Sequence, residues 1–269
     1  DGSTSVSAAG EVVGVAALER GMTVAVMATT QNGALHASAI EIVHAAVGPV
    51  TAGPDATGAF AVMGLTVEST NATGTPAAAL AVGEMVVIGG IQRSNGVIDA
   101  THIAPASEGT SASIRGVVDQ SNTGLQIGAV QVAAPPGAAP ASGAWAAATG
   151  VWSNGMLSAE NITMGLELPT TPAGRLSIEG YLVLQPGGRY AIRGTPLSEG
   201  LGGSLDRGTL GRLAAGQRVQ VQGLRERDGS LRAVTVIVPD RLSPLNTDVS
   251  SATTTDSTAT ERTATEATA

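Results

Sequence analysis

Short stretches in which every second residue is apolar recur along the chain. Met22 to Val26, Glu84 to Ile88 and Gln217 to Val221 read this way, as strands with one buried face should. A glycine opens each of them, Gly21, Gly83 or Gly216, and Ala144 to Ala148 behind Gly143 keeps the position with weaker strand propensity. Each stretch leads to an Asn-Gly or Asp-Gly pair: Asn32-Gly33, Asn95-Gly96, Asn154-Gly155 and Asp228-Gly229. Such pairs favour the type I′ turn, whose two positive φ angles match the twist of a two-residue hairpin. Four hairpin tips are therefore predicted. Behind each tip stands one outgoing strand: Leu35, Ala37 and Ile40; Ile98, Ala100 and Ile103; Leu157, Ala159 and Ile162; Leu231, Ala233 and Val236. The parity changes between the Ala and the last aliphatic residue, which a β-bulge or a strand buried on both faces would produce.

Upstream of the opening glycines lie short stretches of helical character, Pro76 to Leu80 and Leu210 to Leu213, and Leu18, Leu80 and Leu213 each stand three residues before the glycine. Earlier still come strands around Val50 and Phe60 to Val62, repeated as Val117-Val118 and Leu125 to Ile127, then as Tyr181 to Val183 and Tyr190 to Ile192. Leu65 to Val67 is echoed by Val130 to Val132. The unit reads strand, strand, strand, small helix, strand, tip, strand. That order predicts an all-β fold of tandem small antiparallel OB-like barrels, five or six strands each, joined by short linkers. The predicted boundaries are 1–46, an incomplete first β repeat; 47–108; 109–168; 169–241, the Arg-rich fourth repeat; and 242–269, a Thr/Ser/Ala-rich tail that cannot bury much apolar surface. The third copy departs around Pro135, Pro136 and Pro140, where no helix is expected. The first copy has room for only one strand before Gly21; either its first two strands are missing, leaving an edge open to strand addition, or the chain starts late.

Composition narrows this picture. With 36 Gly, 13 Pro and five aromatic residues in 269, only small aliphatic cores can form. There is no cysteine, so disulfides and thiolate metal sites are excluded, and no apolar run is long enough to cross a bilayer as a helix. The net charge of −8 argues against nucleic acid as a partner. Charge is uneven: residues 1–174 hold 3 Arg and 12 acids, whereas residues 175–241 hold 10 Arg and 6 acids. Arg189, Arg193, Arg218 and Arg232 fall on or beside predicted strands, with Arg225 and Arg227 flanking the fourth tip, so they are the candidate contacts for an anionic partner or a neighbouring subunit.

The stretch Leu80-Ala-Val-Gly-Glu-Met-Val-Val-Ile-Gly-Gly with Asn95 to Ile103, and Leu213-Ala-Ala-Gly-Gln-Arg-Val-Gln-Val-Gln-Gly with Asp228 to Val236, resembles a bacterial family known only as a domain of unknown function, five-six-six-six. The resemblance covers residues 1 to about 240 and rests on fourfold recurrence rather than on any single motif. It implies an exported, tandemly repeated, OB-like protein, hence an extracytoplasmic location: secreted, cell surface or periplasm. It implies no activity.

Chemistry-bearing patterns are sparse. His36, His44 and His102 show no metal-ligand spacing, the acids are scattered singly, and no Gly-x-Ser-x-Gly elbow occurs. Gly200 to Ser204 lacks the Lys that a phosphate loop needs. Asn71 and Asn161 head glycosylation sequons by pattern alone. No catalytic, metal or cofactor residues are expected. The function expected is that of a non-catalytic structural or interaction protein of the bacterial cell envelope or extracellular space. It would assemble with copies of itself, head to tail, through strand complementation of the first repeat, or meet an anionic envelope polymer. The alternative is an OB-like binding module for an envelope saccharide or other anionic ligand, using the barrel faces near Trp145 and Trp152. An enzyme would reveal itself by carboxylates, His or Arg converging from different copies.

Overall fold

The computed structural model describes residues 4–8, 11–31, 34–93, 95–121, 124–165, 175–185, 188–198, 213–226 and 230–238. The chain divides into a compact unit, Asp1–Pro239, and a C-terminal unit, Asp240–Ala269; the predicted tail lies outside the described residues. As the composition requires, the described fold is all-β. Its only helical turns are single 3-10 turns at Val15–Ala17 and Ala77–Ala79. The small helix predicted over Pro76 to Leu80 is thus one 3-10 turn, because the six residues between Pro76 and Gly83 are too few to propagate a costly nucleus.

Four strands form the first sheet: β1 (Ser5–Ala8), β2 (Glu11–Val12), β3 (Val24–Gln31) and β4 (Ala34–Ile42). Their order is β2-β1-β4-β3. The second repeat contributes β5 (Ala46–Ala52), β6 (Phe60–Val62), β7 (Leu65–Glu68), β8 (Thr73–Gly74), β9 (Met85–Gln92) and β10 (Ile98–Pro105). The third contributes β11 (Ala112–Ser121), β12 (Gly124–Ile127), β13 (Val130–Ala133), β14 (Trp145–Ser153) and β15 (Met156–Met164). The fourth contributes β16 (Arg175–Leu184), β17 (Tyr190–Ile192), β18 (Thr195–Ser198), β19 (Arg218–Arg225) and β20 (Leu231–Ile237).

In the last three repeats the pairing follows one plan. Leaving aside the two-residue β8, the first strand pairs with the second, the second with the third, the third runs parallel to the fifth, and the fourth pairs with both fifth and first. In the fourth repeat these strands form a closed barrel, β16-β17-β18-β20-β19. The second and third repeats are not beads on linkers. They share one eleven-stranded sheet, because β5 and β11 pair edge to edge at Val47 with Ser113 and Ala46 with Ile114. Their cores are likewise one cluster, running from Val50, Ile88 and Ile103 through Ile114 and Ile127 to Leu157; a separate cluster around Leu182, Ile192, Val221 and Leu231 fills the fourth repeat. Only Val43 to Ala45 separate β4 from β5, which leaves no slack for an independent linker between the first sheet and the second repeat.

The parity change resolves as a bulge in every repeat. Met27 and Ala28 face Ala39 and Ala37, Gly89 and Gly90 face His102 and Ala100, Thr149 and Gly150 face Asn161 and Ala159, and Gln222 and Gly223 face Thr235 and Ala233. One residue on the outgoing strand is skipped each time, which turns the next aliphatic side chain back to the core. A Cβ at Gly150 would sit 2.0 Å from the Ser158 carbonyl oxygen, so close backbone approach, not turn formation, requires that glycine.

Of the predicted tips, Asn154-Gly155 is a two-residue turn with φ of 51° and 76°. Asn95-Gly96 is not: only Gly96 has a positive φ, 86°, and the Arg93 N–H donates to the Val97 carbonyl at 2.8 Å across a longer loop. Asn32-Gly33 and Asp228-Gly229 lie outside the described residues. Three turns that no Asn-Gly or Asp-Gly pair announces join the second and third strands: Met63-Gly64 (50°, 80°), Gly128-Ala129 (56°, 68°) and Arg193-Gly194 (47°, 76°). Both residues of each have positive φ, the type I′ requirement.

Candidate functional site

Two of these three turns lie where the repeats meet. The Gly128-Ala129 turn of the third repeat lies against the second: the Gln92 Nε2 donates to the Gly128 carbonyl at 2.9 Å, and a Cβ on Gly96 would come within 2.8 Å of Ala129 Cβ. The Arg193-Gly194 turn of the fourth repeat lies against the third, where a Cβ on Gly194 would meet Trp145 Cβ at 2.1 Å. Between the seams opens a cleft of about 210 Å³ lined from three repeats, by Gln92, Arg93 and Asn95, by Asp119, Gln126 and Trp145, and by Tyr181 and Arg193.

A charged clamp forms one wall. The Arg93 guanidinium donates as a fork to both oxygens of Glu68, at 3.1 and 2.6 Å, and also bonds Asp99. Bidentate pairing of this kind fixes geometry as well as charge. Tyr181 of the fourth repeat donates its hydroxyl to Asp99. The Glu68 hydrogen bonds, followed by those to Asp99 and Tyr181, hold Arg93 firmly protonated. Burial, then the Asp99 bond, push the Tyr181 phenol above its usual range.

Arg193 also lines the cleft. Its guanidinium stands 5.9 Å from the centre of the Trp145 ring, within cation–π reach. No carboxylate ion pair is formed by Arg193 among the described residues. Burial, with the like charge of Arg115 adding to it and Glu179 opposing, lowers its pKa to about 10. Trp145 is buried, and its Nε1 has no hydrogen-bond partner.

The other candidate arginines do not join it. Arg218 is paired with Glu179 at 2.6 Å, and Arg232 with Glu226 at 3.5 Å. Arg189 is exposed in the loop before β17, Arg225 ends β19 half-buried, and Arg227 lies outside the described residues. The cleft uses Arg193 alone of the six. Its I′ position was hidden in the sequence because Arg-Gly is not a strong turn pair. Trp152 is half-buried and packs against the shared core, so the two tryptophans do not make the exposed aromatic face that the saccharide alternative expected. Among the described residues no group of three or more His, Asp or Glu gathers as for a metal. No helix there is long and apolar enough to cross a membrane.

The first sheet presents a second feature. Val24 and Val26 of β3 are 40% and 50% exposed, whereas the residues three and five positions behind the opening glycine in the other repeats, Val86 and Ile88, Ala146 and Ala148, Val219 and Val221, are all 0% exposed. The same core positions are thus uncovered in the first sheet, where β3 is an edge. The turn that leads into β3 is fixed to the second repeat. The Thr73 hydroxyl donates to the Arg20 carbonyl, and His102, 2% exposed, lies with Nε2 3.7 Å from Glu19.

No curated protein matches the chain. Residues 47–104, within the second repeat, and 194–236, within the fourth, match the family described as Domain of unknown function (DUF5666).

Proposed function

We propose that the protein is a non-catalytic structural or interaction protein, built of tandem OB-like units, that works outside the cytoplasm and assembles with copies of itself through its first sheet. The observation that carries this reading is the exposure of Val24 and Val26 where every other repeat buries the matching side chains. An edge strand with unpaired backbone groups and an uncovered apolar face is a site for strand addition. The occupant is a strand of a second copy, arranged head to tail. Charge supports that direction, because the acid-rich residues 1–174 would meet the Arg-rich residues 175–241 of the next chain, and such complementarity guides register and encounter. The location follows from the family resemblance of the repeated motif.

Light scattering with negative-stain microscopy, on purified chain across a series of salt concentrations, tests this. Oligomers are expected at low salt, shrinking as salt screens the contact, and Val26→Asp should return the chain to monomers. Uniform monomers at every salt concentration would overturn the assembly.

A further inference from the structure

The cleft between repeats two, three and four takes no residue from the first sheet, and its chemistry is of another kind. At about 210 Å³ it is smaller than the roughly 300–1,000 Å³ of sites for drug-sized ligands, so it suits a single small molecule. Arg93 cannot serve as an anion receptor there, since Glu68 and Asp99 already neutralise it. Arg193 can. Its guanidinium lines the cleft, rests on Trp145, has no carboxylate partner among the described residues, and lies near a like charge on Arg115. Glu179 is the one opposing charge that acts on it, and that carboxylate is already held by Arg218; a cation taken partly out of water without an ion pair of its own is costly, and a bound anion removes that cost.

The remaining polar lining is neutral amide and phenol: Gln92, Asn95, Gln126 and Tyr181. The Gln92 amide N–H and the Tyr181 hydroxyl already donate to the Gly128 carbonyl and Asp99, and the Asn95 Oδ1 accepts from Val97; the Asn95 amide N–H and the Gln126 amide remain to donate and accept, as hydroxyl groups of a ligand require. Asp119, exposed at the rim, adds one negative charge and so disfavours a doubly charged ligand over a singly charged one. We propose that this cleft is a binding site for a small monoanionic carboxylate that also carries hydroxyl groups, the chemistry of an acidic sugar, with Arg193 as its charge partner. The type I′ turn explains the choice of position. It places a long side chain at the seam between two repeats, where neither repeat alone could offer a cleft.

Tryptophan fluorescence of the full chain carrying Trp152→Phe, which leaves Trp145 as the sole tryptophan, reports on the site directly. Glucuronate is the probe, with glucose and inorganic phosphate as the other two arms. Saturable change with glucuronate, at least tenfold weaker with phosphate and absent with glucose, is expected. Arg193→Asn tolerates the positive φ and should weaken glucuronate at least tenfold. Gln126→Ala, should the first variant not fold, is expected to weaken it several-fold while leaving the Tm unchanged. Equal responses to glucose and glucuronate, tighter binding of phosphate, no saturable response to any of the three, or full affinity in Arg193→Asn would each overturn the assignment.

Discussion

Gly150 shows how little room a single position leaves. Opposite the bulge of its repeat, a methyl group would lie 2.0 Å from the Ser158 carbonyl oxygen and 2.9 Å from Ala159 Cα, both backbone atoms that cannot swing aside. Gly90 and Gly223 stand in the same place, with the nearest carbonyl oxygen at 2.4 and 2.2 Å. Gly150→Ala should therefore lower the unfolding free energy by about 1–3 kcal/mol, the range for overpacking, as read from a urea titration; an unchanged midpoint would contradict the contact. Asn154 offers a contrast. Its φ is positive, unlike that of Gly150, and there is open space around Gly155, so Asn154→Gly should be close to neutral in the same titration.

At the level of strands and turns, the clamp on Asp99 ties β10 of the second repeat to β16 of the fourth. Tyr181→Phe removes its one bond between those strands and should cost about 1.5 kcal/mol, the low end for a hydrogen bond to a charged group. Hydrogen exchange should show faster opening of Arg175–Leu184 with Ala34–Ile42 unaffected. A uniform change across all repeats would mean that the bond supports the whole fold rather than this seam. Strands were legible in the sequence because their causes are local: alternation, an opening glycine, an aliphatic pattern repeated behind each tip. Even the bulge was half-legible as a parity change. Seams were not. Nothing near Arg193 in the sequence indicates Trp145 as its partner, and Arg218 reads as part of a basic face until the fold sets it opposite Glu179, 39 positions away. The I′ turns at Met63-Gly64, Gly128-Ala129 and Arg193-Gly194 were missed for a related reason: each pairs a glycine with Met, Ala or Arg, residues without a preference for positive φ, so none is an Asn-Gly or Asp-Gly signal.

Across the whole molecule, titration should act where the repeats meet. His44 lies between the first sheet and β5, half-buried, with Arg115 of β11, Glu41 of β4 and His102 of β10 as its charged or titratable neighbours. Burial, then Arg115, lower its pKa below 6.5, with Glu41 opposing and His102 adding to the fall. Unfolded chain takes up the proton first as pH drops. Stability from this group is thus complete above pH 6.5 and is lost as pH falls through the lowered value. His44→Gln should flatten the acid side of a thermal-stability profile between neutral pH and that value, and a profile identical to the parent's would show that His44 is not responsible.

The seating of Ala129 against Gly96 and of Gly194 against Trp145 bears on how such a chain can evolve. Each repeat reads as an interchangeable cassette, yet the fit lies in the joints: a turn in one repeat is matched to a particular small or flat residue in the one before. A chain with the third and fourth repeats transposed would retain every hairpin and every bulge and still lose both sockets. Duplication can therefore add copies at either end, but shuffling in the interior is barred, and the order of repeats is as much an inherited trait as the sequence within them.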